Sequence, residues 1–175
     1  MDLADSARRR RLLQGGLVAG MTAGCAAARA APAMAVEAKS TGADFKKTFL
    51  RQAVLLPASP RRIYEILLDA RQFAAVTGAP AQIDPRPGGA FSLFGGLIAG
   101  RNVELAPYRF ITQAWRTTAE WGPGVYSLVR FGFAPKGAAT LVTLDHTGFQ
   151  EGDFGHLNAG WPLRYWDPLR AYLKP

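Results

Sequence analysis

The chain has 175 residues, of which 49% are hydrophobic and 19% charged, a balance typical of a globular domain rather than of a disordered chain. Its formal net charge is +8, but residues 1–35 contribute +3 of that charge and the other arginines are dispersed. Because no basic run is interleaved with aromatic residues after residue 35, the pattern argues against a nucleic-acid partner. The single cysteine, Cys25, excludes a disulfide within the chain.

The first 35 residues predict an export signal. Four arginines at residues 8–11 precede a weakly apolar run, and residues 33–35 (Ala-Met-Ala) form a small-x-small cleavage site. With the second and third of these arginines as the pair, the segment resembles a twin-arginine signal. Gln14 and several glycines make it too polar for a membrane anchor, which needs roughly 20 apolar residues. We therefore predict a signal peptide over residues 1–35 and a periplasmic or otherwise exported protein.

A lipoprotein anchored at Cys25 is the minority alternative, because small residues precede this cysteine but Thr22 stands where Leu is usual. Cleavage after Ala35 would remove the only thiol, and with it any cysteine nucleophile or cysteine metal ligand. The remaining chain is predicted to comprise a polar linker over residues 36–45 and one domain over residues 46–175, long enough for a core of its own.

The domain opens with a predicted strand and two short helices. Residues 45–56 carry the β-branched and aromatic residues typical of a strand. Ser59 then stands at the N-cap and Pro60 at the first position of a helix. A second helix is predicted over residues 70–77, ending before Gly78.

Short apolar runs separated by glycine and proline then predict consecutive antiparallel strands. They are expected over residues 82–84, 90–94, 98–105, 109–118, 126–134 and 140–147. Within the fourth of these, alternation places the bulkier set, which includes Ile111 and Trp115, on the inner face and Arg116 on the outer face.

Residues 153–173 predict a terminal helix rich in large apolar side chains, kinked at Pro162 and Pro168. One strand, two helices, a run of strands and a final helix indicate an α+β fold. A strongly twisted antiparallel sheet of six to seven strands is expected to wrap around the long C-terminal helix and bury its aromatic face.

A family resemblance follows from motifs spread over residues 49–173. They are Ser59-Pro60, Asp69-Ala70, Thr77-Gly78, Arg86 to Phe91, Gly95-Gly96 with Gly100, Ala114-Trp115-Arg116, Tyr126-Ser127, Thr140 with Leu144, His146-Thr147-Gly148 and Gly160-Trp161. The chain resembles the START-like (SRPBCC) superfamily, and within it the branch similar to the C-terminal domain of the activator of heat-shock-chaperone ATPase. The resemblance implies a helix-grip fold with a hydrophobic cavity, used across the superfamily for lipids, sterols, polyketides and other apolar ligands.

Aromatic side chains from different elements are the best candidates for lining such a cavity, since aromatic residues with polar tips suit a mostly apolar ligand. The predicted cavity residues are Phe73, Phe91, Trp115, Trp121, Tyr126, Phe131, His146, Trp161 and Tyr165. Ordinary core packing is expected to account for part of this set.

No catalytic or metal-binding constellation is predicted. His146 could act as a general base, but its neighbour Asp145 points to the opposite face of the strand and cannot easily orient it. His156 lies near two acidic residues at a spacing that is weak evidence for a metal site. The paired glycines do not join a strand to a helix, as a phosphate loop requires. We therefore predict no catalytic residue, no metal and no cofactor.

Three functions of different class remain open from the sequence. The first is a non-catalytic carrier or sensor of a small hydrophobic molecule, with at most weak contact to anionic lipids and no membrane span after cleavage. The second is a cofactor-free cyclase, hydratase or isomerase that uses the same cavity. The third, implied by the branch, is a protein-interaction domain of the chaperone-activator type, although an exported protein would not meet a cytosolic chaperone.

The export hypothesis predicts the mature N-terminus. N-terminal sequencing of the protein recovered from the cell envelope is expected to begin near Val36, because the cleavage site ends at Ala35. A mature chain that begins at a lipidated Cys25 would contradict this cleavage site and support the lipoprotein alternative.

Overall fold

The computed structural model describes residue 44 and residues 46–174. The predicted signal peptide, its cleavage site, Cys25 and nearly all of the linker lie outside these residues. Within the described part of the chain, no helix is long and apolar enough to cross a membrane.

The described residues form the predicted order of one strand, two helices, a run of strands and a terminal helix. The first strand and helices are β1 (Phe49–Leu56), α1 (Pro60–Leu68) and α2 (Ala70–Thr77). The later strands are β2 (Ala81–Ile83), β3 (Ala90–Leu93), β4 (Ile98–Ala106), β5 (Phe110–Thr117), β6 (Ser127–Lys136) and β7 (Ala139–Thr147). A 3₁₀ turn, Phe94–Gly96, joins β3 to β4. The α+β helix-grip prediction is thereby confirmed.

All seven strands form one antiparallel sheet in the order β1-β7-β6-β5-β4-β3-β2. Chain neighbours pair directly from β2 to β7, while β1 reaches the far edge and pairs with β7. The helices α1 and α2 connect these two edges. A bulge in β4 between Asn102 and Glu104 shifts its register against β5, and such bulges increase the twist and bend of a sheet.

Local capping explains why the two short helices begin where the sequence predicts. The Ser59 hydroxyl accepts a hydrogen bond from the backbone N–H of Arg62, and the Asp69 carboxylate accepts one from the backbone N–H of Gln72. Each cap satisfies a donor that the first helical turn leaves free. Helix α2 ends at Gly78 in the left-handed conformation, with φ of 68°.

The terminal helix has three parts, which are α3 (Phe154–Trp161), a π-helical turn (Pro162–Trp166) and α4 (Asp167–Tyr172). Pro162 has no N–H to continue the α-helical ladder, and the backbone N–H of Asp167 donates to the Pro162 carbonyl five residues earlier. The disturbance predicted at Pro162 therefore takes the form of a π-turn, which lies within the aromatic segment of this helix.

The inner face of the sheet carries the core, as the strand alternation predicts. In β5, Ile111 and Trp115 are buried, whereas Arg116 is partly exposed on the other face. Gly100 in β4 permits a close approach, because a Cβ at this position would overlap the Ala114 carbonyl oxygen and the Phe91 ring.

Candidate functional site

The C-terminal helix packs across the inner face of the sheet and leaves a partly open cleft of about 130 Å³ beside β4 and β5. Most of the cleft wall is apolar or aromatic, with charged groups among the lining residues. These residues are Leu97, Ile98, Trp115, Thr117, Glu120, His156, Leu157, Gly160, Trp161, Arg164 and Tyr165. Such a cleft, mostly apolar with few polar groups, is typical of a small-molecule site.

Aromatic rings fill the interior behind this cleft. The Trp161 ring lies 4.5 Å from that of Tyr165, 5.7 Å from that of Phe131 and 5.8 Å from that of Trp115, measured between ring centroids. Phe73 continues the cluster on the other side of Tyr165, at 5.7 Å. Close-packed rings at these distances leave little space for a guest, so the cleft is small.

Three of the four tryptophan indoles donate a hydrogen bond to a side chain. Trp121 donates to the Asp153 carboxylate at 2.7 Å, Trp166 to the Gln52 side-chain oxygen at 2.7 Å, and Trp161 to His146 Nδ1 at 3.2 Å. The fourth, Trp115, is 3% exposed, and its Nε1 has no hydrogen-bond partner among the described residues. Buried polar groups without a partner are rare, and this N–H is an exception among the described residues.

His146 is fully buried and forms part of a chain of hydrogen bonds between the helix and the sheet. Because the Trp161 indole can only donate, His146 Nδ1 is an acceptor, and the ring proton lies on Nε2. Nε2 is 2.7 Å from Ser127 Oγ and donates to it, and the Ser127 hydroxyl in turn donates to the Trp115 carbonyl oxygen at 2.9 Å. Both ring nitrogens of His146 are therefore occupied.

Burial lowers the pKa of His146 to about 3, so the ring is neutral at physiological pH. A general base needs a free lone pair near the substrate, whereas the only lone pair of His146 accepts from Trp161. His146 is also absent from the residues that line the cleft. As the alternation predicts, Asp145 faces the opposite side of the sheet, where it forms an ion pair with Arg51. The arrangement suits a structural histidine.

The predicted cavity residues divide by position. Trp115, Trp161 and Tyr165 line the cleft. Five others are buried but are not among the lining residues, namely Phe73, Phe91, Trp121, Phe131 and His146. Tyr126 is the exception, because it is 43% exposed and lies between Arg101 and Arg116 on the outside of the sheet. It precedes Ser127, whose side chain faces inward, so alternation turns Tyr126 away from the interior.

Three polar residues that line the cleft are absent from the predicted cavity set, although the sequence pattern indicates His156 as a weak metal-ligand candidate. Glu120, His156 and Arg164 come from the loop after β5 and from two parts of the terminal helix. The Glu120 carboxylate accepts a hydrogen bond from the Thr117 hydroxyl at 3.3 Å, and the Arg164 guanidinium lies 5.5 Å from the Phe94 ring centroid. Gly160, which precedes the buried Trp161, is the one signal that could have indicated an open helix face here.

Comparison with known proteins identifies a matching family model and several curated relatives that are named as activators of a heat shock protein ATPase. The family model for Activator of Hsp90 ATPase homolog 1-like proteins matches residues 57–174. The activator of 90 kDa heat shock protein ATPase homolog of Dictyostelium discoideum is 32% identical over 113 residues, covering 64% of this chain and 29% of the relative. The human activator of 90 kDa heat shock protein ATPase homolog 1 is 25% identical over 125 residues, covering 71% of this chain and 35% of the relative. The chain therefore spans only about a third of these curated relatives.

Solved structures support the same fold. The crystal structure of an HSP90 activator from Plasmodium falciparum has a TM-score of 0.68 and 23% identity, and covers 73% of this chain and 96% of that one. The solution structure of the Aha1 dimer from Colwellia psychrerythraea has a TM-score of 0.61 and 16% identity, and covers 73% of this chain and 96% of that one. Identities this low establish similarity of fold alone.

The burial of neutral His146 predicts a pH-dependent stability. Its pKa is about 3 in the folded protein against an ordinary value of 6.5, so between these values the unfolded chain binds the additional proton. The contribution of His146 to the free energy of unfolding is therefore fully present above about pH 6.5 and decreases as the pH falls. Between pH 7 and pH 5 the free energy of unfolding should fall by about 2 kcal/mol for this reason. Urea unfolding at several pH values measures this contribution as the difference between the wild type and His146→Gln.

The exposed His156 supplies the matched control, because His156→Gln removes an imidazole without altering the buried chain of hydrogen bonds. We expect His156→Gln to keep the pH dependence of the wild type and His146→Gln to lose that contribution. Equal slopes for the wild type and His146→Gln over this range would contradict the assignment of a buried neutral imidazole.

Proposed function

The chain belongs to the Activator of Hsp90 ATPase homolog 1-like family, whose START-like fold forms the cleft described above, and we propose that this domain is a non-catalytic binder of a small hydrophobic molecule. The observation that carries the proposal is the aromatic cleft between the C-terminal helix and strands β4 and β5. Burial of apolar surface against Trp161, Leu157 and Ile98 would supply the binding free energy.

The volume of the cleft limits the ligand to a small one. Pockets for drug-sized ligands measure roughly 300–1,000 Å³, whereas this cleft measures about 130 Å³. An engineered apolar cavity of about 150 Å³ accommodates benzene. A sterol or a polyketide would need the Trp161 and Tyr165 rings to move out of the core. A molecule with a single aromatic ring fits without that rearrangement.

The non-catalytic part of the proposal is supported by His146, because both of its ring nitrogens take part in the chain of hydrogen bonds with Trp161 and Ser127. We further propose that the domain acts as a carrier or sensor outside the cytoplasm. The support for this location is the twin-arginine-type pattern of residues 1–35.

Gly160 allows the cleft to be closed without disturbing the core. A Cβ built at this position meets no atom within 4 Å, although the residue lines the cleft, so Gly160→Leu should fill the site rather than clash. We expect the wild type to bind styrene with a Kd of about 1 mM or tighter, and Gly160→Leu to weaken binding at least about tenfold. Titration followed by NMR measures both values.

The matched control is Ala159→Leu, since residue 159 lies on the same helix but is exposed to solvent. This variant adds the same side chain outside the cleft and should bind styrene like the wild type. A wild-type protein that binds no styrene, or equal binding by Gly160→Leu, would contradict the proposed site.

A protein-interaction domain of the chaperone-activator type is the second candidate. It is favoured by the names of the curated relatives and by an exposed cluster on the outer face of the sheet. Arg101 and Arg116 lie 5.9 Å and 6.0 Å from the Tyr126 ring centroid, and neither arginine forms an ion pair among the described residues. Leu128 follows Tyr126 at 44% exposure. Arginine and tyrosine are enriched in protein interfaces, and unpaired arginines favour an acidic partner.

Charge reversal of this cluster tests the second candidate. If the domain activates a 90 kDa heat shock protein, the purified domain should stimulate its ATPase rate, and Arg101→Glu with Arg116→Glu should abolish most of the stimulation. The control pair is Arg71→Glu with Arg109→Glu, two exposed arginines outside the cluster. An absence of stimulation by the wild type would rule out this candidate for that chaperone.

A further inference from the structure

Arg164 is a half-buried cation on the cleft wall, and no carboxylate of the described residues pairs with it. Its guanidinium lies 5.5 Å from the Phe94 ring centroid and forms no hydrogen bond within the described part of the chain. By contrast, Arg170 on the same helix pairs with Asp167 at 3.1 Å. A guanidinium has five N–H donors, and withdrawing it from water without an acceptor costs free energy. An anionic oxygen bound in the cleft would offset this cost.

The spacing of residues along the terminal helix places Arg164 beside the open part of the cleft. His156, Gly160 and Arg164 follow one another at intervals of four residues, which puts them on one face of the helix, and all three line the cleft. Gly160 has no side chain to fill the space between the other two. The Arg164 side chain and the apolar wall therefore border the same space.

The positive charge of Arg164 also acts on the buried part of the cleft. Burial raises the pKa of the Tyr165 hydroxyl well above its ordinary value, while the neighbouring Trp115 indole and then the charge of Arg164 oppose this effect. A cation that favours the anionic form of Tyr165 would also favour an anionic oxygen of a ligand bound nearby. Arg164 thus gives a mostly apolar cleft one place where negative charge is favourable.

Two other titratable groups with a charged form, Glu120 and His156, line the cleft, and both are more exposed than Arg164. The Glu120 carboxylate accepts a hydrogen bond from the Thr117 hydroxyl. Because water and salt screen exposed charges, Glu120 opposes a bound anion only weakly. Partial burial strengthens the interaction of Arg164 by comparison. The cleft therefore favours an anionic head group over a cationic one.

We infer that the cleft binds a small aromatic carboxylate, whose ring lies against the apolar wall and whose carboxylate accepts hydrogen bonds from the Arg164 guanidinium. This inference rests on the proposed binding function and specifies its ligand class. The planar fork of guanidinium donors matches a planar carboxylate, so two parallel hydrogen bonds form between them. The volume of the cleft limits the apolar part of the ligand to about one ring.

Cinnamate and cinnamamide test the charge of the ligand, since each is styrene extended by a planar polar group and only cinnamate is an anion. We expect the wild type at neutral pH to bind cinnamate about 5- to 10-fold more tightly than cinnamamide, as measured by titration followed by NMR. We also expect the Arg164 Nε–H resonance to move further on saturation with cinnamate than with cinnamamide. This second measurement needs no variant.

Arg164→Gln removes the charge, so it should bind cinnamate and cinnamamide within about twofold of each other. The matched control is Arg170→Gln, which removes the same charge from the same helix outside the cleft and should keep the wild-type preference. The amide spectrum of each variant checks that it folds. A preference for cinnamate that persists in Arg164→Gln would overturn the assignment.

The wild type alone separates failure of this inference from failure of the proposed function. Equal binding of cinnamate and cinnamamide, with styrene still bound, would overturn the inference and leave the proposed site intact. Tighter binding of cinnamylamine than of cinnamate would also overturn it and would indicate Glu120 as the selecting charge. Failure of all four molecules to bind would contradict the proposed function itself.

Discussion

The attachment of Trp161 to the inner face of the sheet is the interaction on which the rest of the structure depends. Its indole packs against Phe131 and Tyr165 and donates a hydrogen bond to His146. His146 in turn donates to the Ser127 hydroxyl, which donates to a backbone carbonyl of β5. Apolar packing alone would allow the helix to slide or rotate, because it has no direction. The hydrogen bonds have direction, and they hold the helix in one orientation over the sheet.

This attachment also decides how much space remains inside the fold. The aromatic rings that bury the helix occupy much of the volume between helix and sheet, and Gly160, which has no side chain, is one of the residues that line the remaining cleft. A helix-grip fold is therefore compatible with a large cavity or with almost none. The difference depends on the residues at the interface of helix and sheet rather than on the topology. In this protein the interface favours a small guest.

The cleft and the exposed arginine cluster lie on opposite faces of the same sheet, so the two proposed functions do not compete for residues. Trp115 and Arg116 are neighbours in β5, yet the first lines the cleft and the second stacks on the exposed Tyr126. Strand alternation is the reason, since consecutive side chains of a strand point to opposite faces. A ligand inside and a protein partner outside could bind the same domain.

Local chemistry in the sequence determined the element order, the caps at Ser59 and Asp69 and the inward direction of Trp115, because each depends on neighbouring residues or on strand alternation. The sequence also identified Tyr165 and Trp161 as interior residues. Only the tertiary structure decided which aromatic rings border open space and which indole lacks a partner. Those properties depend on distances between residues far apart in the chain, where a shift of one ångström closes a cleft or completes a hydrogen bond.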